Sequence, residues 1–172
     1  MNYYSVLNEF NSIEGVVVDT AFTTFNSAVE FINLVNSSAI SSRNYYVIKS
    51  FDSSPWQPAY DFSNEVKNKL KKKSKLIRED LNEKHLKELK NIAVGVVDFD
   101  DITPDMLKVL YSYVKIGGVI VVKTSSNVSG ALKVLSELFT RKQIVVYDNF
   151  LLINRIKPSS LGKVKRTKSL LT

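Results

Sequence analysis

Cysteine is absent from this 172-residue chain. That excludes a disulfide framework, a thiolate nucleophile and any zinc site with sulfur ligands. Histidine occurs once, at His85, so neither a histidine metal cluster nor a two-histidine mechanism can be built. No apolar run approaches the length of a membrane span. The opening "MNYYSVLNEFNS" lacks the basic-then-apolar layout of a secretory signal. These absences set the expectation of a cytoplasmic protein with no membrane partner.

What is present suits one compact domain, because a 44% hydrophobic content supports a sizeable core at this length. The formal charge is +7, and it is unevenly placed. One basic run spans Lys67 to Lys75, and the last stretch "KPSSLGKVKRTKSLLT" holds five basic residues and no acid. Such runs favour anionic partners, a nucleic acid or a nucleotide sugar, although a charge run is more often a solvated face or tail.

Strand and helix patterns alternate along the chain. "GVVVDT" (15–20) is a run of a buried strand, and a helix is expected over 25–38, with Ala28, Ile32 and Val35 at helical spacing. A second strand is expected over 44–51, then a proline-containing loop, a polar helix capped by Ser63 and a short third strand over 75–80. A helix over 82–91 turns Leu86 and Leu89 inward. The most apolar strand is "IAVGVVDFD" (92–100), followed by a helix with Thr103 as cap and Pro104 in its first turn, where a missing N–H costs nothing. "GGVIVVK" (117–123) is a fifth strand, and a helix over 129–139 faces Leu132, Leu135, Leu138 and Phe139 inward. Two strands around Asp148-Asn149 close the pattern as a hairpin. The expected fold is therefore α/β: a Rossmann-like, mostly parallel sheet between helix layers, closed by an antiparallel hairpin. Residues 1–157 read as that domain and 158–172 as a basic, disordered tail.

This element order resembles the class I S-adenosylmethionine-dependent methyltransferases, and four local motifs are similar to those of the macrocin O-methyltransferase family. That family methylates sugar hydroxyls with a bound magnesium ion. Its first-strand pattern G-x-x-x-E-x-G-x-x-x-G-G meets "GVVVDTAFTTFN", which has Gly15 and Asp19 but Ala21, Phe25 and Asn26 in place of glycines. Its D-S-F-E-G-L-P meets "KSFDSSP", with Ser50, Phe51, Asp52 and Pro55 retained and Lys49 replacing the leading acid. Its D-G-D-x-Y meets "DFDDI", with Asp98 and Asp100 retained. Its G-G-x-x-x-x-D-D meets Gly117-Gly118, but ends here in Lys123-Thr124. The resemblance covers residues 13–157. It implies a cofactor site at Asp19, Ala21, Phe25, Lys49, Ser50 and Asp80, catalytic roles for Asp98 and Lys123, and Asp98 and Asp100 as magnesium ligands. The family also has a longer region before its first strand that takes part in substrate binding and subunit contacts, so self-association over uncovered apolar surface is a further expectation.

The departures bear on the chemistry. Phe25 and Asn26 add bulk where glycines let a backbone approach a cofactor. Lys49 has donors but no lone pair with which to accept from ribose hydroxyls. Magnesium needs oxygen ligands, whereas Lys123 brings a positive charge. Two unit charges 4 Å apart repel by about 4 kcal/mol at an effective dielectric of about 20, and a divalent ion doubles that. Lys123 is thus expected to take the metal's place, paired with Asp98 or Asp100. Losses on the cofactor, ribose and metal sides together point to a methyltransferase-like domain with an eroded site, acting as a binding or assembly module, in which S-adenosylmethionine and magnesium are doubtful.

Two alternatives stand beside it. One is an active S-adenosylmethionine-dependent O-methyltransferase on a sugar or RNA ribose hydroxyl. "GGVIVVK" also resembles the fifth strand of RNA ribose 2′-O-methyltransferases, where the lysine helps activate the hydroxyl. The other is a nucleic-acid-binding protein using its basic tail. His85, among lysines and glutamates, reads as a surface residue, and Trp56 as loop packing.

Overall fold

The computed structural model describes residues 9, 13–21, 44–48, 74–77, 79–124 and 127–157. Seven strands form one sheet in the order β3-β2-β1-β4-β5-β7-β6. They are β1 Val16–Asp19, β2 Tyr45–Ile48, β3 Ser74–Ile77, β4 Ile92–Asp98, β5 Val114–Lys123, β6 Ile144–Val146 and β7 Phe150–Asn154. Three helices are described: α1 Glu83–Leu89, α2 Pro104–Tyr113 and α3 Val128–Leu138. The pairs β3-β2, β2-β1, β1-β4 and β4-β5 are parallel, while β7 runs antiparallel to both β5 and β6. The expected Rossmann-like sheet with a closing hairpin is the observed fold. The chain order reverses between β1 and β4, which makes their carboxyl ends the crevice where ligands of open α/β sheets bind.

The central strands are central because they are apolar on both faces. Ile92 to Val97 in β4 and Val119 to Val122 in β5 are all buried, as a parallel sheet covered on both sides requires. Against them pack Leu107 and Leu110 of α2 and Ala131 and Leu135 of α3. Leu86 is buried in the same core, Phe139 joins it, and Leu89, Leu132 and Leu138 are half-buried at its margin. Helix α2 begins as expected: the Thr103 Oγ1 accepts from the Met106 N–H at 3.2 Å, with proline in the first turn. Among the described residues no helix is long and apolar enough to cross a membrane.

Three readings change. Strand β3 ends at Ile77 rather than Asp80, so Glu79 and Asp80 belong to the connection into α1. Strand β5 starts at Val114, directly from α2, and the register slips between Ile92↔Val114 and Val94↔Val119. Gly117 and Gly118 make this irregular entry possible. Gly117 has φ 89°, which side chains seldom adopt, and a Cβ on Gly118 would stand 2.5 Å from the Ala93 carbonyl oxygen. His85 is the third correction, for it is 6% exposed. The His85 N–H donates to Asn82 Oδ1 at 3.3 Å, and its Nδ1 accepts from the Asn82 N–H at 3.2 Å. This reciprocal cap leaves the ring proton on Nε2, which donates to Glu79 at 2.8 Å. The charged neighbours of His85 in sequence lie on other faces of the helix, so the histidine is turned inward. The expected helices over 25–38 and 63–73 and the tail 158–172 lie outside the described residues.

Candidate functional site

Strand β1 ends in Asp19, which is fully buried. Its Oδ1 accepts from the Ala21 N–H at 2.8 Å, so the side chain shapes the turn leaving the strand. The next residue ties that turn to β4: the Thr20 N–H and Oγ1 both donate to the Val96 carbonyl, at 2.8 and 3.1 Å. Ala21 has no exposed surface.

Strand β4 ends in Asp98, directly beside Lys123 at the end of β5. The Phe99 N–H donates to the Lys123 carbonyl at 2.9 Å, which locks the two strand ends together. The Asp98 Oδ1 accepts from the Asp100 N–H at 3.0 Å, while its main-chain carbonyl accepts from the Asp101 and Ile102 N–H groups, each at 3.1 Å. Burial pushes the Asp98 carboxyl up from its ordinary pKa. The Asp100 N–H opposes that rise, the negative charges of Asp101 and Asp100 add to it, and the Lys123 ammonium counteracts them. Lys123 stands across from Asp98 in the register of β4 and β5.

Beside these strand ends lies a cleft of about 520 Å³. Thr20 contributes to it from the end of β1, Ile48 from β2, Asp80 from the loop after β3, and Asp101, Ile102 and Met106 from the β4–α2 turn and α2. Its volume falls within the range of small-molecule sites, and a few polar groups among apolar walls are their usual chemistry. Of the expected cofactor residues, Asp80 lines this cleft and Asp19 and Ala21 build the turn at its edge. Phe25, Lys49 and Ser50 lie outside the described residues. Ile48, Asp101, Ile102 and Met106 were not expected as site residues. The signal available was position, since Ile48 ends a parallel strand and Asp101 and Ile102 follow the end of another, with Met106 in the first turns of the helix that comes next.

Magnesium takes oxygen ligands, often one or two carboxylates with waters completing its shell. Asp98 and Asp100 are near in sequence, but among the described residues no three His, Asp or Glu side chains gather where a metal could be held. For a nucleoside the cleft residues fit: Asp80 and Asp101 offer acceptors for hydroxyl or amino groups, and Ile48, Ile102 and Met106 offer apolar surface for a base.

No family model matches the sequence, and no curated protein matches it by sequence. Solved structures do match the fold. A TDP-rhamnose 3′-O-methyltransferase of calicheamicin biosynthesis superposes with a TM-score of 0.67 at 14% identity, over 88% of this chain and 76% of that one. A methyltransferase of the mycinamycin pathway, in complex with magnesium and S-adenosylhomocysteine, gives 0.60 at 13% identity over 90% of this chain and 45% of its own length. An rRNA methylase from Streptococcus thermophilus gives 0.55 at 11% identity, covering 90% of this chain and 95% of that one. The chain therefore has the Rossmann-like fold of class I methyltransferases.

Proposed function

We propose that this chain is a methyltransferase-like binding domain whose cleft takes an adenosyl nucleoside, S-adenosylmethionine or S-adenosylhomocysteine, and whose metal half is eroded. The observation that supports it most directly is the cleft itself, lined at the strand ends by Thr20, Ile48, Asp80 and Asp101, with Asp98 and Lys123 paired at the ends of the neighbouring strands β4 and β5. Asp80 and Asp101 would accept from the ribose hydroxyls or the base, while Ile48, Ile102 and Met106 would hold the ring. The Lys123 ammonium supplies a fixed positive charge next to the acid that retains the place of a metal ligand. An anionic partner, a nucleotide sugar or a nucleic acid, and self-association remain part of this reading.

Titration calorimetry with both nucleosides, with and without magnesium, tests it. Binding on the order of micromolar that does not change with magnesium is the expected result. No heat with either nucleoside at millimolar concentration rejects the reading.

A second reading is methyl transfer to a sugar or ribose hydroxyl, with Asp98 as the group that would take the hydroxyl proton. The Asp98 carboxyl has raised proton affinity, and a base whose pKa moves toward the working pH takes a hydroxyl proton more effectively. When bound, S-adenosylmethionine would supply the methyl group. A labelled-methyl assay with nucleotide sugars and RNA distinguishes the readings, because transfer that disappears in Asp98→Asn while nucleoside binding persists requires an enzyme.

A further inference from the structure

At the opposite end of the sheet from the cleft, a second cavity of about 650 Å³ lies among α2, the end of α3 and the chain on either side of the β6–β7 hairpin. Lys108, Tyr111, Glu137, Phe139, Thr140 and Arg155 are among the residues that line it. Arg155 lies just after β7 and is anchored through its backbone: its N–H donates to the Gly118 carbonyl and its carbonyl accepts from the Gly117 N–H, each at 2.9 Å. Its guanidinium lies 4.5 Å above the centre of the Tyr111 ring. Behind it, Gln143 is buried and fully engaged. The Gln143 side-chain carbonyl accepts from the Thr140 N–H and hydroxyl at 2.9 Å, and its amide donates to the Tyr111 hydroxyl.

The arginine itself is not satisfied in this way. Its Nε is buried without any hydrogen-bond partner. A guanidinium that sits over an aromatic ring with its Nε unpartnered is placed before a ligand arrives. A planar two-oxygen anion matches the guanidinium fork. The other charges select further: Lys108 adds a cation and Glu137 an anion, so the described lining carries one net positive charge. The Tyr111 and Phe139 rings, 4.9 Å apart, provide apolar surface beside the fork.

We infer that this cavity is a binding site for a small monocarboxylate with an aromatic or apolar body, held by Arg155 against Tyr111. Nothing in the proposal depends on a ligand in the upper cleft.

Benzoate is a suitable probe, with benzamide as its uncharged counterpart and inorganic phosphate as a compact, more highly charged anion. In an NMR titration of the full chain, benzoate is expected to give saturable shifts with an affinity on the order of millimolar. The shifts should fall on the amides of Tyr111, Phe139, Thr140 and Gln143 and leave Asp98 and Lys123 unmoved. Benzamide and phosphate should each bind at least about tenfold more weakly, as should benzoate to Arg155→Gln, with Arg155→Lys intermediate. Equal binding of benzoate and benzamide, equal binding of phosphate, shifts confined to the upper cleft, or unchanged affinity in Arg155→Gln would each overturn the site. If the variants do not fold, the comparison of the three probes on the native chain decides.

Discussion

The two ends of the sheet hold their charged side chains by different means. At the carboxyl end, Asp19 and Asp98 each accept a backbone N–H from two residues further along the chain, at 2.8 and 3.0 Å. At the other end, Arg155 rests on Tyr111, 44 positions earlier by sequence number, and Gln143 reaches the same tyrosine across 32 positions. Carboxylates can be compensated locally because each following residue carries an N–H donor and a turn brings it into range. A guanidinium needs acceptors or a ring face, and these come from wherever tertiary packing places them. The carboxylates of the upper end thus each take a short-range backbone donor, whereas the guanidinium and amide of the lower end meet Tyr111 across long separations, which predicts how each responds to substitution.

The largest effect should come from breaking the support of the lower end. In Gly118→Ala the new methyl group would meet the Ala93 and Lys115 carbonyl oxygens at 2.5 and 2.9 Å, and backbone cannot move away cheaply. A loss of about 2–4 kcal/mol in urea unfolding is expected. A loss below about 1 kcal/mol would show that the entry to β5 adapts, and that Arg155 is not rigidly placed by it.

Next in size is Gln143→Leu, which leaves the Thr140 N–H and the Tyr111 hydroxyl without their acceptor and donor. About 1–3 kcal/mol should be lost. Asp19→Leu at the upper end removes the acceptor of the buried Ala21 N–H and should cost a similar amount. NMR shift changes should spread across α2 and the hairpin in the first variant and remain near β1 in the second. Similar spread in both would remove the contrast.

Asp98→Asn should have a smaller effect with a definite pH signature. Burial raises the folded-state pKa of Asp98 above its unfolded value. The folded chain thus holds its proton more tightly, and ionisation costs stability as pH rises through the window between the two values. The variant, whose amide can still accept from the Asp100 N–H, should be as stable as the native chain or slightly more so at neutral pH. The difference should close as pH falls through the ordinary carboxylate range. A variant less stable than the native chain at neutral pH would mean that Asp98's charge is compensated more fully than its burial implies.

The smallest effect expected is none. Millimolar magnesium should leave the melting temperature unchanged, because a ligand stabilises only in proportion to its affinity for the folded state. A saturable rise that Asp98→Asn abolishes would restore the metal to the upper end.

Much of the architecture was legible in the residues. Continuous Val and Ile in β4 and β5, the Thr103-Pro104 start of α2 and the Asp148-Asn149 hairpin each declare their structure within a few positions. The positions of Asp19, Asp80, Asp98 and Lys123 were legible too: they stand at or just beyond strand ends, and in a parallel sheet those ends converge. His85 was misread because its neighbours in sequence are charged, whereas its burial is set by the angle at which α1 meets the core. The Arg155 cavity was not legible at all, since its walls come from α2, α3 and both sides of the hairpin.

By itself, then, the sequence determined which segments are strands and helices and which acids stand where strands stop, because those properties follow from side-chain pattern and from donors one or two residues away. The tertiary structure alone decided that a cleft opens between Asp80 and Asp101, and that Arg155 lies on Tyr111. Each of these depends on strand order and on how helices settle against the sheet, and packing sets both over separations that local pattern does not encode.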